Sequence, residues 1–360
     1  MSPSQTKSTT PYVGIDLLKC ILAILVVAIH THAPFFNILG RFAVPFFFMT
    51  SSFFFFKKYI HLENRHAQNI ALWRYAKKLA IMYVLWRILY LPFDIYKNFQ
   101  SNPNSFPNIS VSGLIKWFFK FVFIGRDGTF ITGWYLIASI FGMLVIVFLI
   151  RYVGLRVTLI ISIIVELLIL MVTSYGQVTF SIILINHALP FLNNPFSTLT
   201  TNTFIRSLLP FTLGFIIFML SNSHKSITTN KKLINFYLIL FSILYIVECI
   251  VLYRFTGVGS FDETLFLQPA VFFLVLYGMA SHVSLSTSHS LYLREFSTFI
   301  FLVHPMFFQF RMSLDQLVNI TGVAADYFNF VWIVLASIAT YFAYRWLRKL
   351  TGFKWLRYIL

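Results

Sequence analysis

Ten apolar stretches, each near the length that crosses a bilayer, recur along the chain at approximately 13–31, 41–57, 78–96, 133–150, 157–174, 203–220, 233–253, 264–283, 296–313 and 327–346. A hydrocarbon core of ~30 Å takes about 20 helical residues. Lipid offers nothing for backbone N–H and C=O groups to bond, so such segments must satisfy them internally, as helices do. The expectation is an all-α polytopic membrane protein with about ten transmembrane helices. Only 11% of the 360 residues are charged, less than half the share common in soluble domains, which excludes a soluble enzyme, a disordered tail or a secreted disulfide scaffold. Cys20 and Cys249 each lie inside an apolar run and read as small core residues.

The formal net charge of +17 raises the question of nucleic acid, but the basic residues gather mostly at alternate ends of the apolar runs. With ten crossings both termini share one side. Taking that side as cytoplasmic places 18 of the 28 Lys and Arg residues inside and 8 outside, with Lys19 and Arg87 left within spans. That asymmetry is the positive-inside pattern, so the charge reads as topology and no nucleic-acid partner is expected. No small-residue cleavage site follows the first apolar run, which is therefore expected to stay in the mature protein. The domain reading is a cytoplasmic tail over 1–12, a membrane domain over 13–347 and a basic cytoplasmic tail over 348–360. Two outer connections, 97–132 and 175–202, are long, as loops that carry function often are, and 97–132 is the candidate for acceptor choice. Within the first, residues 110–125 read as a helix lying in the interface.

Ionisable residues within spans are costly and mark function or structural pairs. Asp16, Lys19, His30, Arg87, Asp94, Glu166, Glu248 and His304 are the ones to explain. Lys19 and His30 are eleven residues apart, about three turns plus ~20°, so they share one face of the first helix, separated by roughly 16 Å along its axis. His30 is suited to take a proton from a hydroxyl near neutral pH, or it snorkels to the interface beside His32. Lys19 suits a phosphate, or a structural pair with Asp16. His304 precedes Pro305, a residue that frees backbone carbonyls where helices enclose polar space. No HExxH, CxxC or carboxylate cluster is present, so no metal is expected.

These residues fall in an order that resembles the acyltransferase family 3, integral-membrane enzymes that O-acylate cell-surface glycans. Gly14-Ile15-Asp16-Leu17-Leu18-Lys19 through His30 is similar to that family's first helix, in which a basic residue, usually Arg, precedes a histidine by eleven positions. Arg41 through Phe53 resembles its Val-Pro-Phe-Phe-Phe stretch and Ser-Gly-aromatic sequence, with Ser52 in place of the glycine. Gly133-Trp134-Tyr135-Leu136, Leu209-Pro210-Phe211 with Gly214, and Phe296-Ser297 through His304-Pro305 follow in order.

The resemblance implies a cell-membrane O-acyltransferase with no permanently bound cofactor. It would take acetyl-CoA as cytoplasmic donor and the hydroxyl of an extracytoplasmic glycan or cell-wall polymer as acceptor. It acts alone or with a separate extracellular transferase. In this reading His30, Asp16 and Lys19 form the catalytic set, with His30 as base or acyl carrier. Arg41, Trp134, Tyr135 and His304 line the site, and Lys19, Arg74, Lys77 and Lys78 hold the CoA phosphates. The main rival is a transporter or flippase whose path runs along Asp16, Glu166, Glu248 and His304. A second is a sensor or amino-acid-binding module, since the chain also resembles the membrane part of vancomycin-resistance serine racemases.

Overall fold

The computed structural model describes residues 12–101, 111–126, 128–175, 203–222, 230–256, 264–281, 283, 285–310, 315, 318–352 and 359. All of the expected outer connection 175–202 except Tyr175, residues 102–110 and much of both tails lie outside the described residues. Among the described residues the chain is helical, with no β-strand. The helices are α1 (Val13–Thr31), α2 (Phe36–Gly40), α3 (Ala43–Tyr59), α4 (Arg65–Ser101), α5 (Val111–Phe119), α6 (Gly133–Tyr152), α7 (Gly154–Val172), α8 (Leu208–Asn222), α9 (Lys231–Thr256), α10 (Leu267–Ala280), α11 (Thr287–Val303) and α12 (Gly322–Thr351).

Among the described residues eight segments are long and apolar enough to cross a membrane, the pair α2–α3 counting as one. The two remaining expected spans are shorter helices. The 264–283 stretch contains the 14-residue α10. The 296–313 stretch is divided: α11 ends at Val303 and a 3-10 segment covers His304–Phe310. Pro305 has no N–H to continue the α-helical ladder. The Tyr90 hydroxyl of α4 donates to the Leu302 carbonyl at 2.7 Å, satisfying an acceptor near that break. The stretch expected to lie flat, 110–125, forms α5 and a π-helical turn, Lys120–Ile124. Val111, Ile115, Phe118 and Phe119 there are exposed.

Helix α1 lies at the centre, packed against α2, α3, α10, α11 and α12, while α3 packs mainly on α8. Lipid tails are as apolar as leucine, so helix association depends on close packing, which small residues permit. Gly14 of α1 meets the Gly278 carbonyl of α10 so closely that a Cβ has no room. The α3–α8 contact is similar. Gly214 faces the Met49 carbonyl and Ser52, whose hydroxyl donates to the Phe211 carbonyl at 2.6 Å. The space a glycine at position 52 would leave is thus created from the opposite helix, which explains how serine fits.

At the end of α1, His32 takes a left-handed conformation (φ 58°), an uncommon state for a residue with a side chain. It turns the chain into α2. There Gly40 lies against the Leu25 carbonyl and Ile29 of α1, returning Arg41 to the level of His30.

Candidate active site

His30, half-buried near the end of α1, faces a cavity of about 230 Å³. Arg41, Arg126, Arg206, Trp134 and His32 also line it. Arg126 is carried over the cavity by Gly125, which ends the π turn with φ 69° and packs where a Cβ would collide with Ile137, Gly133 and Trp134. Arg206 sits in a 3-10 turn, Phe204–Ser207, before α8, with its guanidinium 5.3 Å from the Trp134 ring centroid. Desolvation, and next the neighbouring Arg206 guanidinium, lower the pKa of Arg126, the mark of cations gathered in one place.

The second imidazole is His304, fully buried, with its ring centroid 5.5 Å from that of His30. Its Nδ1 lies 3.0 Å from the Ile300 carbonyl. A carbonyl can only accept, so Nδ1 carries the proton and Nε2 presents the lone pair. That Nε2 is buried with no hydrogen-bond partner among the described residues. A polar atom left in that state is costly unless something visits it. Phe308 lies against both rings, at 5.5 Å from His30 and 5.6 Å from His304.

Lys19 lines a different cavity of about 460 Å³, with Lys58, Ser51, Tyr75, Ser297 and Thr298 among its polar walls. Its ammonium lies 5.2 Å from the Phe54 ring centroid, a cation–π distance. The one face shared by Lys19 and His30 therefore addresses two chambers. Phe301 lines both. It meets Tyr135 at 5.1 Å and Phe47 at 5.4 Å, ring centroid to ring centroid, and those two rings also line the Lys19 chamber. A septum of three aromatic rings thus stands between the chambers.

Other expected site residues fall elsewhere. Tyr135, expected beside His30, turns into the Lys19 chamber, whereas its neighbour Trp134 lines the His30 cavity. Arg74, Lys77 and Lys78 are exposed on α4 and line neither chamber, while Ala71 and Tyr75 of that helix line the larger one. Asp16 also lines neither. It is fully buried and accepts from Arg294 Nε at 2.9 and 3.0 Å and from the Ser290 hydroxyl. With the Cys20 thiol donating to the Leu293 carbonyl at 3.1 Å, it ties α1 to α11, the helices that lead to His30 and His304.

The remaining membrane carboxylates also have structural partners. Asp94 pairs with Arg87 at 2.5 Å and accepts the Thr129 N–H at 2.6 Å, fixing the approach to α6. Glu248 accepts the Leu265 and Phe266 N–H groups at 2.6 and 3.0 Å, capping the start of α10, and also the Tyr175 hydroxyl. Glu166 accepts from Gln268 Nε2 at 3.1 Å. Among the described residues no group of three or more His, Cys, Asp or Glu is placed to hold a metal ion.

The arrangement of α1, the Val-Pro-Phe segment of α3 and His304-Pro305 lies within residues 12–340, which match the acyltransferase 3 family, described as an acyltransferase domain. The chain belongs to the acyltransferase 3 family. Two curated relatives, each called an amino-acid racemase from Enterococcus faecalis, are also similar. One is 28% identical over 341 residues, covering 90% of this chain and 44% of the relative. The other is 35% identical over 185 residues, covering 49% of this chain and 24% of the relative. The chain thus spans less than half the length of the racemases it matches. No solved structure is significantly similar. As a member of the acyltransferase 3 family, the chain places His30 and Lys19 on one helix, in two cavities that share the Phe301 wall.

Sequence reasoning finds His30, Lys19, Arg41 and Trp134 as wall residues, whereas His304, expected to line the site, is fully buried against the His30 ring and lines neither cavity. It misses Arg126, Arg206 and Lys58, which look like ordinary topology charges until the fold gathers them.

Proposed function

We propose that the protein is a membrane O-acyltransferase that moves an acetyl group from acetyl-CoA, entering the Lys19 chamber from the cytoplasm, to a hydroxyl of a cell-surface glycan or cell-wall polymer in the His30 cavity. The observation that carries this reading is the pair of chambers sharing the Phe301 wall, cationic Lys19 and Lys58 in one and His30, with the buried His304 ring behind it at 5.5 Å, in the other. Ammonium groups attract CoA phosphates as point charges.

In this reaction His30 removes the acceptor's hydroxyl proton as the oxygen attacks the thioester carbonyl. The tetrahedral oxyanion lies in the field of Arg41. Collapse breaks the C–S bond, and the CoA thiolate takes a proton in exchange for the one left on His30, so acetyl thioester and alcohol become acetyl ester and thiol. The thioester arm, far narrower than the nucleotide, is the part that must pass the three rings. His304, with Nδ1 held by Ile300, keeps Nε2 available as an acceptor beside the reacting groups.

The test is acetyl transfer by the purified full chain in proteoliposomes, followed as acetyl ester formed and CoA thiol released. His30→Ala and His30→Gln should lower turnover by about 10² or more, the span expected of a general base. Retained turnover in both variants refutes the role of His30.

The racemase relatives favour a second reading, in which this membrane domain binds or passes an amino acid. Amino-acid uptake by the same proteoliposomes without acetyl turnover would establish it in place of the first.

A further inference from the structure

Helices α1, α3 and α6 each line both chambers and pass from one to the other beside the ring septum. On α1, Lys19 lies in the larger chamber and Val26, two turns on, in the His30 cavity. On α3, Val44 and Pro45 face the His30 cavity, and Phe47 and Ser51 the Lys19 chamber. On α6 the change falls between Trp134 and Tyr135. Along α11, Ser297 lines the Lys19 chamber, Phe301 lines both, and His304, just past the helix end, meets His30. These three are spaced four and then three residues apart, so they form one helical stripe. Phe47, Tyr135 and Phe301 thus bring one ring from each of three helices to the boundary, with centroids 5.1, 5.4 and 6.2 Å apart. Those are the separations of aromatic rings in contact. A chain passes between them only by displacing a ring.

We infer that Phe47, Tyr135 and Phe301 fix the length of the acyl group transferred: acetyl reaches His30, whereas butyryl and longer chains are held back with their thioester in the Lys19 chamber. The inference rests on the O-acyl transfer proposed above and names the acyl class of its donor. Attack on a thioester needs the carbonyl carbon about 3–3.5 Å from the acceptor oxygen, so the carbonyl has to reach the septum. The chain beyond the carbonyl then has two places to go. One is the His30 cavity of about 230 Å³, which also has to hold the acceptor and is smaller than the ~300 Å³ at which sites for drug-sized ligands begin. The other is the space among the three packed rings, where each added methylene forces a side chain aside. The donor side is roomier. Its cavity of about 460 Å³ includes Phe54, Phe55 and Ala71 among its walls, enough apolar surface for a longer chain to fold back beside the CoA arm. Long-chain donors should therefore bind without reacting. Phe301 is the ring that decides, because it lines both chambers and meets both other rings. Its centroid also lies 6.3 Å from that of His304. Phe47 lines the Lys19 chamber and not the His30 cavity, so its replacement thins the wall from the donor side.

The experiment uses the full chain in proteoliposomes with methyl galactoside and a glycerol phosphodiester oligomer as separate acceptors. Acetyl-, propionyl-, butyryl- and hexanoyl-CoA serve as donors, each followed as ester formed. The kcat should fall at least about tenfold from acetyl to butyryl, the scale on which a site rejects added methylenes. Butyryl-CoA should nevertheless compete with acetyl-CoA, with an inhibition constant within about threefold of the acetyl-CoA KM, as expected when discrimination arises after binding. Phe301→Leu should raise the ratio of butyryl to acetyl kcat at least about tenfold, and Phe47→Leu should move it in the same direction. The ratio is taken within one preparation, so loss of folded protein does not alter it, and Phe47→Leu keeps the test decisive where Phe301→Leu does not fold. Equal kcat for acetyl and butyryl, or a ratio unchanged in the folded variants, overturns the ring-set limit and leaves the transferase reading standing. So does an inhibition constant for butyryl-CoA more than about tenfold above the acetyl-CoA KM, which would place the rejection at binding. No ester from any donor on either acceptor by monodisperse protein overturns both.

Discussion

The Asp16–Arg294 pair allows a structural role to be separated from a catalytic one, because its two halves are unequally buried. Asp16 is fully enclosed, whereas 41% of the Arg294 side chain remains exposed. Arg294→Gln strands a carboxylate with the Ser290 hydroxyl as its remaining close donor. Breaking a buried pair by removing one partner costs about 3–5 kcal/mol, and the exposure of Arg294 reduces this to about 2–3 kcal/mol. Asp16→Asn leaves an amide that still accepts from Ser290, and frees an arginine able to turn outward, at about 1 kcal/mol. Asp16→Asn combined with Arg294→Gln has no stranded charge and should also cost about 1 kcal/mol. The second substitution therefore restores stability lost to Arg294→Gln. At about 2 °C per kcal/mol for a chain of this size, the midpoint of heat-induced loss of monodisperse protein in detergent should fall by about 5 °C in Arg294→Gln and by about 2 °C in the double variant. Additive losses, with the double variant the least stable, refute the pairing argument. Asp16 lies fourteen residues before His30, roughly 21 Å along the helix. Acetyl transfer by the double variant should therefore follow the amount of folded protein, and a folded but inactive double variant would return Asp16 to the chemistry.

Three further outcomes follow from the same geometry. His304→Asn keeps a donor near the Ile300 carbonyl but removes the buried Nε2, and should lower kcat by about 10² with little change in the KM for acetyl-CoA in the proteoliposome assay. Phe301→Ala opens the ring septum and should raise acceptor-independent release of CoA thiol severalfold while ester formation falls, read from the two products in parallel. Gly14→Val drives a branched side chain into the Gly278 carbonyl of α10 and should abolish the monodisperse peak in size-exclusion chromatography, whereas Gly154→Ala, where no atom lies within 4 Å of the added Cβ, should leave that peak in place at a small backbone cost from φ 80°.

What the sequence reveals and what it hides follow from the range of the interactions. The placement of Lys19 and His30 on one helical face is a local property, fixed by helix geometry, and the two residues do address chambers at different heights. Pro305 likewise announces a break, although the carbonyl left near it is satisfied by Tyr90, more than 200 residues away, a partner that local sequence does not reveal. Arg126 and Arg206 could not be told from other cations, because their meeting depends on a left-handed glycine and a 3-10 turn that bring separate segments together. Whether Glu248 is a transport carboxylate or a structural group is hidden in the sequence for a related reason. Besides the Tyr175 hydroxyl, its partners are backbone N–H groups at the start of another helix, and backbone donors leave no trace in residue identity.

The ring septum bears on the electrical life of a cell. A domain with two polar chambers divided by one shared wall would become a pore if that wall were lost and each chamber met water, and an open pore would drain ions down the membrane potential at every moment between turnovers. Phe47 and Phe301 carry no group along which a proton could hop, and Tyr135 carries a single hydroxyl. Insulation thus resides largely in packed carbon at the shared wall, leaving the chambers on either side free to be wet.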